Sequence, residues 1–577
     1  MDNMDDKNNW KVFFSKLWRL TKGYWQSKEK LKAWGLLVVI VALNLGSVYM
    51  LVLVNKWYNR FYNALQEFDK EATYLALKEF GVLAFIFIVL VVYRLYLRQM
   101  LTINWRNWIT NVYLKDWLKN QNYYRMQVAG SNTDNPDQRI SEDLRMFTDM
   151  TLRLSLGLLN SVVTLFSFVF ILWELSGVLI VPIGENGIKI YGYMVWAAIV
   201  YAFVGTYFTH LIGRPLIRLN FNQQKYEADF RFSLVRLREN SESIAFYGGE
   251  GQEKQSFGQK FYHVFGNFWK IMRYQKRLSW FTSFYGQLAI IFPIVVASPR
   301  YFAREIQLGG LMQISSAFGR VQDSLSFFVD AYAELAEWRA VVDRLTGFVD
   351  DMESAQIVRS SEKLEVTSSK TETALVFTDL HVNLPDGRNL LQEFYLRLNK
   401  GDSMLVVGAS GAGKSTLLRT LAGIWPHAAG SIDLPHNYNA LFVPQKSYLP
   451  LGTLREVLLY PQSSGVSDEK IKHILTLCKL EKFYRRINHT EDWSKVFSLG
   501  EQQKIAFARI FLKEPDWLFL DEATSALDEA TEKQMYELLD ERLQKTTIVS
   551  VGHRSTLSNF HRKKLTINGD GTWSLLR

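Results

Sequence analysis

Residues 33–54 read AWGLLVVIVALNLGSVYMLVLV, a run with no charged side chain. A helix rises about 1.5 Å per residue, so such a run matches a hydrocarbon core roughly 30 Å thick. Lipid offers no partner to backbone N–H and C=O groups, so a run like this must form a helix that satisfies them internally. Further stretches of similar character lie at Phe80–Leu97, Leu156–Trp173, Tyr191–Ile212 and Trp280–Ala297. A sixth, Leu308–Val329, is more polar and carries Gln313, Arg320, Gln322 and Asp323. Charges at that depth are costly in lipid, so this helix is expected inside the bundle or on the wall of a wet cavity. Arg320 and Asp323 stand three apart on one face and so can pair, with Asp330 two turns beyond on the same face.

The chain has 577 residues, room for two or more domains. The apolar runs and most tryptophans fall before about Leu345, and the remainder reads as a soluble α/β domain. A net charge of +10 would suit nucleic acid, but beside membrane spans it suits basic cytosolic loops, so no nucleic-acid partner is expected. Basic residues collect after the second run (Arg98, Arg106, Lys115, Lys119, Arg125) and after the fourth (Arg214, Arg218, Lys225, Arg231, Arg236, Arg238). Basic loops stay in the cytosol, which puts both termini inside. The start, MDNMDDKNNW, is acidic and unlike a signal peptide. The next stretch, NWKVFFSKLWRLTKGYWQSKEK, mixes aromatic and basic residues as an interfacial helix does. Cys478 is the one cysteine, so no intrachain disulfide forms, and it reads as a buried helix residue.

Residues 351–373 turn polar and Ser/Thr-rich, which reads as a linker. The expected organisation is a six-span membrane domain over 1–349, a linker over 350–373 and a P-loop ATPase domain over 374–577. ALVFTDLHVNL and NLLQEFYLRLN each read as strands. SMLVVGASGAGKSTLLRTLAG then reads as strand, glycine-rich loop and helix. Gly408, Ala409, Ser410, Gly411, Ala412 and Gly413 would wrap ATP phosphates with backbone N–H groups at a helix N-terminus. Lys414 would reach the β- and γ-phosphates, the Ser415 hydroxyl would hold Mg²⁺, and Thr416 continues the motif. The apolar run Trp517–Leu520 delivers Asp521 to the metal and Glu522 to the attacking water as general base. Gln445, after another strand, could contact both metal and water, and His553, at the end of TTIVSVGH, could donate to the γ-phosphate.

These pieces in this order resemble the ATPase domain of ABC transporters over about Ala374–Ser555: phosphate loop, Gln445, FSLGE, Asp521–Glu522, Ser525–Asp528, His553. The resemblance gives a role to the turn Phe497–Glu501, which has no obvious chemistry of its own. In the family such a turn caps ATP held by the opposite subunit, so Ser498, Gly500 and Glu501 are expected at a partner's nucleotide. One ATPase domain per chain then implies a homodimer. Leu499 stands where the family usually has glycine, and Leu384 where an aromatic usually stacks on adenine. NKWYNRFYNALQEFD, NTDNPDQRISEDLR and EADFRFSLVRLRENSESIAFYGGE resemble the SbmA/BacA-related ABC transporters of bacteria and the D-subfamily half-transporters. That resemblance implies an exporter-type six-helix fold, a large wet cavity and a bacterial inner-membrane location. It also implies uptake of a large hydrophilic solute of the cobalamin, peptide or glycopeptide class. Its alternatives are export, fatty acyl-CoA transport, or a non-pumping ATP-gated channel.

Overall fold

The apolar run at 33–54 sits inside a helix that outlasts it at both ends, α2 (Lys30–Gln66), and the same holds for most of the other runs. The structure, a computed structural model, describes residues 2–128, 135–181, 188–360, 363–368, 373–462 and 465–576. The chain divides into two compact units: 1–114 with 134–348, and 115–133 with 349–577.

In the first unit, α1 (Asp2–Trp25) precedes α2, followed by α3 (Lys70–Leu118). The chain then passes through the second unit as a short helix, α4 (Asn122–Val128), and returns to the first as α5 (Leu144–Ser176). A two-stranded hairpin, β1 (Val178–Val181) and β2 (Ile188–Tyr191), leads to α6 (Tyr193–Glu239). After α7 (Ser241–Tyr247) come α8 (Glu250–Phe302), α9 (Leu308–Asp330) and α10 (Tyr332–Ser360). Among the described residues, five helices are long and apolar enough to cross a membrane: α2, α3, α5, α6 and α8. The 53 residues of α8 extend about 80 Å, far more than a bilayer core. The basic segments expected as loops are therefore helix. Arg98, Arg106 and Lys115 lie in α3, and Arg214 through Arg238 lie in α6. Arg, Lys, Gln and Glu are good helix formers, so the helices run on where hydropathy falls.

The polar helix α9 packs against α2, α5, α6 and α8. Its apolar stripe, Leu311, Ile314, Ala317, Phe318 and Val321, is fully buried. Its polar face meets a ladder of asparagines on α2. Gln313 Nε2 donates to Asn55 Oδ1 at 3.1 Å, and Asn55 Nδ2 donates back to the Gln313 carbonyl at 3.0 Å. Asn59 Nδ2 donates to Gln313 Oε1 at 2.9 Å, and the Gly309 N–H donates to Asn63 Oδ1 at 2.7 Å. A Cβ on Gly309 would lie 2.0 Å from the Asn59 carbonyl, so glycine permits this approach. Gln313 is thus a satisfied bundle contact. Arg320 and Asp323 are exposed on α9, and among the described residues no ion pair within 4.0 Å joins them, although the charge of Arg320 still acts on Asp323. The side chain of Asp330 lies outside the described residues.

Two further contacts fix the bundle. Tyr201 and Tyr285 each donate a hydroxyl to the other's carbonyl, at 2.6 and 2.7 Å, locking α6 to α8. Asp143, 2 % exposed, is held by Arg139 at 2.7 Å and doubly by Arg344 of α10 at 2.9 and 2.7 Å.

In the second unit, β3 (Lys363–Ser368) and β4 (Leu375–Asn383) come first. Much of the stretch read as linker is therefore regular structure, the end of α10 and then β3. β5 (Asn389–Leu398), β6 (Ser403–Val407), helix α11 (Lys414–Leu421), β7 (Ala428–Leu434) and β8 (Ala440–Val443) follow. Then come α12 (Asp468–Leu477), α13 (Leu499–Lys513), β9 (Trp517–Asp521), α14 (Glu529–Arg542), β10 (Thr547–Val551), β11 (Lys563–Ile567) and β12 (Trp573–Leu576). The main sheet has the order β12-β11-β6-β10-β9-β8, parallel except for β12. A second sheet has the order β3-β7-β4-β5. β9 is buried on both faces, as its unbroken apolar run requires. Leu518 and Leu520 enter one core cluster with Ile505, Phe507 and Met535, while Trp517 and Phe519 enter the other with Phe394 and Leu565. Cys478 is buried in the first cluster, just past the end of α12.

Candidate active site

Parallel strands deliver loops to one edge of a sheet, and ligands bind at that edge. Here the loop after β6 is Gly408–Gly413, Asp521 ends β9, His553 follows β10, and Gln445 follows β8. Asp521 lies beside Val551 in the β9–β10 register, which brings the residues after each strand together.

Gly413 caps α11 with φ 97°, a left-handed conformation that glycine adopts without strain. Lys414 is 5 % exposed and turns back over the loop, donating to the carbonyls of Gly408 at 2.9 Å and Ala409 at 2.8 Å. Burial pulls its ammonium below lysine's usual range, against the Glu522 and Asp521 carboxylates nearby. Ala412 and Thr416 are buried, while Ser410 and Gly411 face solvent. Ser415 Oγ donates to Asp521 Oδ1 at 2.9 Å. Burial raises the Asp521 carboxyl above its usual range, with the Ser415 hydroxyl working the other way. A hydroxyl and a half-buried carboxylate side by side at a helix N-terminus are hard oxygen donors, the set that Mg²⁺ takes.

Glu522 has φ 47° and projects between two partners. Gln445 Nε2 donates to Oε2 at 3.0 Å, and His553 Nε2 lies 3.2 Å from Oε1. The three residues expected to handle water and γ-phosphate therefore meet.

The FSLGE turn starts α13. Ser498 is its N-cap in a reciprocal capping box: the Glu501 N–H donates to Ser498 Oγ at 3.3 Å, and the Ser498 N–H donates to Glu501 Oε2 at 3.0 Å. Glu501 is partly buried, which works against its charge. Lys482 at 2.6 Å and the Ser498 donors nevertheless hold its carboxyl below the usual range. Leu499, 66 % exposed, projects where the family usually has glycine, and a Cβ on Gly500 would lie 3.2 Å from the Ala526 carbonyl. Among the described residues, no hydrogen bond or ion pair joins Ser498, Gly500 or Glu501 to the P-loop, Asp521, Glu522, Gln445 or His553. The expected nucleotide residues form two groups on one chain. Leu384 sits in the turn between β4 and β5, where the Gly387 N–H donates to its carbonyl at 2.9 Å.

Three features carried no sequence signal. Gln503 of α13 bonds Ser525 Oγ at 3.0 Å and the Ala526 N–H at 2.9 Å. Glu532 of α14 bonds Thr524 and Thr556. Helix α4 belongs to the ATPase unit, where Arg125 Nη2 donates to the Gly423 carbonyl beyond α11 at 2.8 Å. Tyr123 beside it lines a cleft of about 520 Å³ with Tyr448, Tyr460 and Arg509.

A P-loop ATPase unit joined to a bundle of membrane-length helices defines an ATP-driven membrane transporter. The chain matches the family descriptions "ABC transporter transmembrane region 2" over residues 20–302 and "ABC transporter" over residues 391–525. It is 37 % identical to an ABC transporter ATP-binding protein of Haemophilus influenzae, over 97 % of this chain and 93 % of that one. It is 34 % identical to the inner membrane ABC transporter ATP-binding protein YddA of Escherichia coli, covering 95 % and 96 %. Identity to the human lysosomal cobalamin transporter ABCD4 is 26 %, covering 96 % and 94 %. The chain therefore belongs to the ABC transporter family, as a half-transporter that fuses one membrane domain to one ATPase domain. Its fold matches a bacterial Atm1-family ABC exporter with ATP bound, with TM-score 0.68 and 17 % identity over 94 % of each chain.

Proposed function

We propose that the chain is one half of a homodimeric, ATP-driven importer of an inner membrane. Its solute is large and hydrophilic and carries an anionic group. Both termini lie in the cytosol, in the manner of the SbmA/BacA-related transporters. The observation that carries the solute class is a cavity of about 450 Å³ in the first unit. Among the described residues, Arg94, Arg98 and Arg153 line it with one carboxylate, Glu334, and with Asn44 and Asn160. Arg94 donates to Asn44 Oδ1 at 2.8 Å and Ser47 Oγ at 3.0 Å, and Arg153 pairs with Glu334 at 3.3 Å. Among the described residues, Arg98 Nε is buried with no hydrogen-bond partner. Arginines in membrane-length helices are costly unless they serve a pathway. This set has room for a phosphate or carboxylate head. The phosphodiester of cobalamin and acidic peptides both fit, and ABCD4 supports the first.

In the ATPase unit the P-loop and Lys414 hold the phosphates of ATP. Ser415 and Asp521, with Gln445, would hold Mg²⁺, whose charge offsets that of the phosphate oxygens. Glu522 takes the proton of the attacking water and His553 donates to the γ-phosphate. Ser498 and the Gly500 N–H, backed by Glu501, close over the nucleotide of the partner subunit. That assignment accounts for two nucleotide groups that do not meet within one chain.

A second reading rests on the same cavity. Its other wall is apolar (Ile40, Val91, Leu95, Leu154, Leu156, Phe327), which would seat the chain of a fatty acyl-CoA beside the arginines. Proteoliposomes with outward ATPase units decide between them, using labelled cobalamin, an acidic peptide and acyl-CoA. Import predicts ATP-dependent loss of lumenal cobalamin or peptide, with Arg94→Ala and Arg98→Ala slowing it while basal ATPase stays. Movement of acyl-CoA alone would replace the first reading by the second, and accumulation in the lumen would mean export. Flux that continues when hydrolysis is blocked would make the protein a channel.

A further inference from the structure

Glu532 is 1 % exposed and touches neither the P-loop nor any residue given a role above. It stands at the start of α14, and its carboxylate oxygens divide between two segments. Thr524 Oγ1 donates to Oε2 at 2.6 Å, and Thr556 Oγ1 donates to Oε1 at 2.9 Å. Arg554 Nη1 lies 3.5 Å from Oε2. Thr524 belongs to the turn that begins at Glu522, closed by the Ser525 N–H donating to the Glu522 carbonyl at 3.1 Å. Arg554 and Thr556 directly follow His553 in the chain. One buried carboxylate therefore clasps the segment bearing the general base and the segment bearing the phosphate sensor. The side chains of those two, Glu522 and His553, meet 3.2 Å apart. A carboxylate is an expensive choice for filling a core, because burial strips its water, and an apolar side chain of that volume packs more cheaply. Gln503 then fastens the same turn to α13 through Ser525 and Ala526.

We infer that Glu532 is a positioning residue for ATP hydrolysis: it sets the Glu522 turn and the His553 loop in one register, so that base and sensor address the same water and γ-phosphate. This rests on the reading of Glu522 and His553 as the hydrolytic pair. Glutamine at 532 keeps the shape but not the charge: one of the two threonine hydroxyls must turn to accept from its NH₂, and Arg554 no longer faces a carboxylate. The clasp on the two segments is then loosened.

The test uses the full-length protein in lipid nanodiscs, measuring phosphate release against ATP concentration and equilibrium binding of a fluorescent ATP analogue. Displacing catalytic groups by a fraction of an ångström to an ångström costs roughly ten- to a hundredfold in rate, which is the loss of kcat expected for Glu532→Gln. The half-saturating ATP concentration and the analogue affinity should stay near wild type. Thr524→Val and Thr556→Val should each lower kcat, and neither should lower it further in the Glu532→Gln background. Wild-type kcat in Glu532→Gln would overturn the proposal. So would a fall in kcat matched by an equal loss of nucleotide affinity, or threonine losses that add fully to the Glu532→Gln loss. If Glu532→Gln does not fold, the Thr524→Val/Thr556→Val double variant carries the same comparison. Glu522→Gln, assayed alongside, separates the outcomes: normal turnover there would sink the underlying pair rather than the role of Glu532.

Discussion

Exchanging Glu522 for glutamine removes one proton acceptor and little else. The carboxylate accepts from Gln445 at 3.0 Å and lies 3.2 Å from His553. A glutamine can keep its carbonyl toward the Gln445 amide and turn its NH₂ to the imidazole, so both contacts survive. The loss is then that of a general base, about 10²- to 10⁴-fold, or about 2.7–5.4 kcal/mol of barrier at 1.36 kcal/mol per decade. Nucleotide binding should persist, because the carbonyls that hold Lys414 belong to Gly408 and Ala409 and not to this side chain. One effect on binding does follow. Glu522 opposes the burial that lowers the Lys414 pKa, so its neutralisation lowers that pKa further. As pH rises, Lys414 in the variant loses its proton earlier, and ATP affinity should fall at a lower pH than in wild type. Phosphate release in nanodiscs reads the first effect, and binding of labelled ATP across pH 7–10 reads the second. Near-normal turnover in Glu522→Gln would refute the base assignment. An ATP-binding pH profile unchanged or shifted upward would refute the electrostatic link.

Lys414→Ala and Ser498→Arg should each inactivate a homodimer, yet co-expression should restore part of the ATPase activity, since one composite site of the mixed dimer escapes both lesions. A verified monomer that hydrolyses ATP at the full rate would contradict this. Leu384→Tyr offers adenine a π-face that leucine lacks, so the Michaelis constant for ATP should drop with little change in kcat, as expected for added uniform binding. Unchanged constants, with ATP already strongly preferred over GTP, would mean another group reads the base. His561 is half-buried against Ser550 and Leu557, and that burial lowers its pKa below the ordinary 6.5. The unfolded chain then binds a proton that the folded one refuses, so stability falls as pH drops below about 6.5. The unfolding temperature of wild type should decline more steeply from pH 7 to 5.5 than that of His561→Gln, and parallel slopes would dismiss the effect.

The local chemistry of this protein is written in its residues. A long uncharged run can only be a helix in lipid. Glycines at 408, 411 and 413 ahead of Lys414 make a glycine-rich loop between strand and helix, and Trp517–Leu520 reads as a strand buried on both faces. Each of these follows from neighbours in the chain, because hydrogen-bond period and backbone freedom are local properties. The class of site was legible for the same reason, since its residues come in short motifs at strand ends. Only the fold could bring distant residues together. It placed Arg98 on a cavity wall where its position after an apolar run had suggested a loop, and it left Arg320 and Asp323 exposed without a contact ion pair despite their spacing. It satisfied Gln313 with asparagines from α2, more than 250 residues away. It also joined Glu532 to Thr524 and Thr556 from two different segments. Burial and partner choice depend on which elements pack together, and helical or strand periodicity carries no information about that.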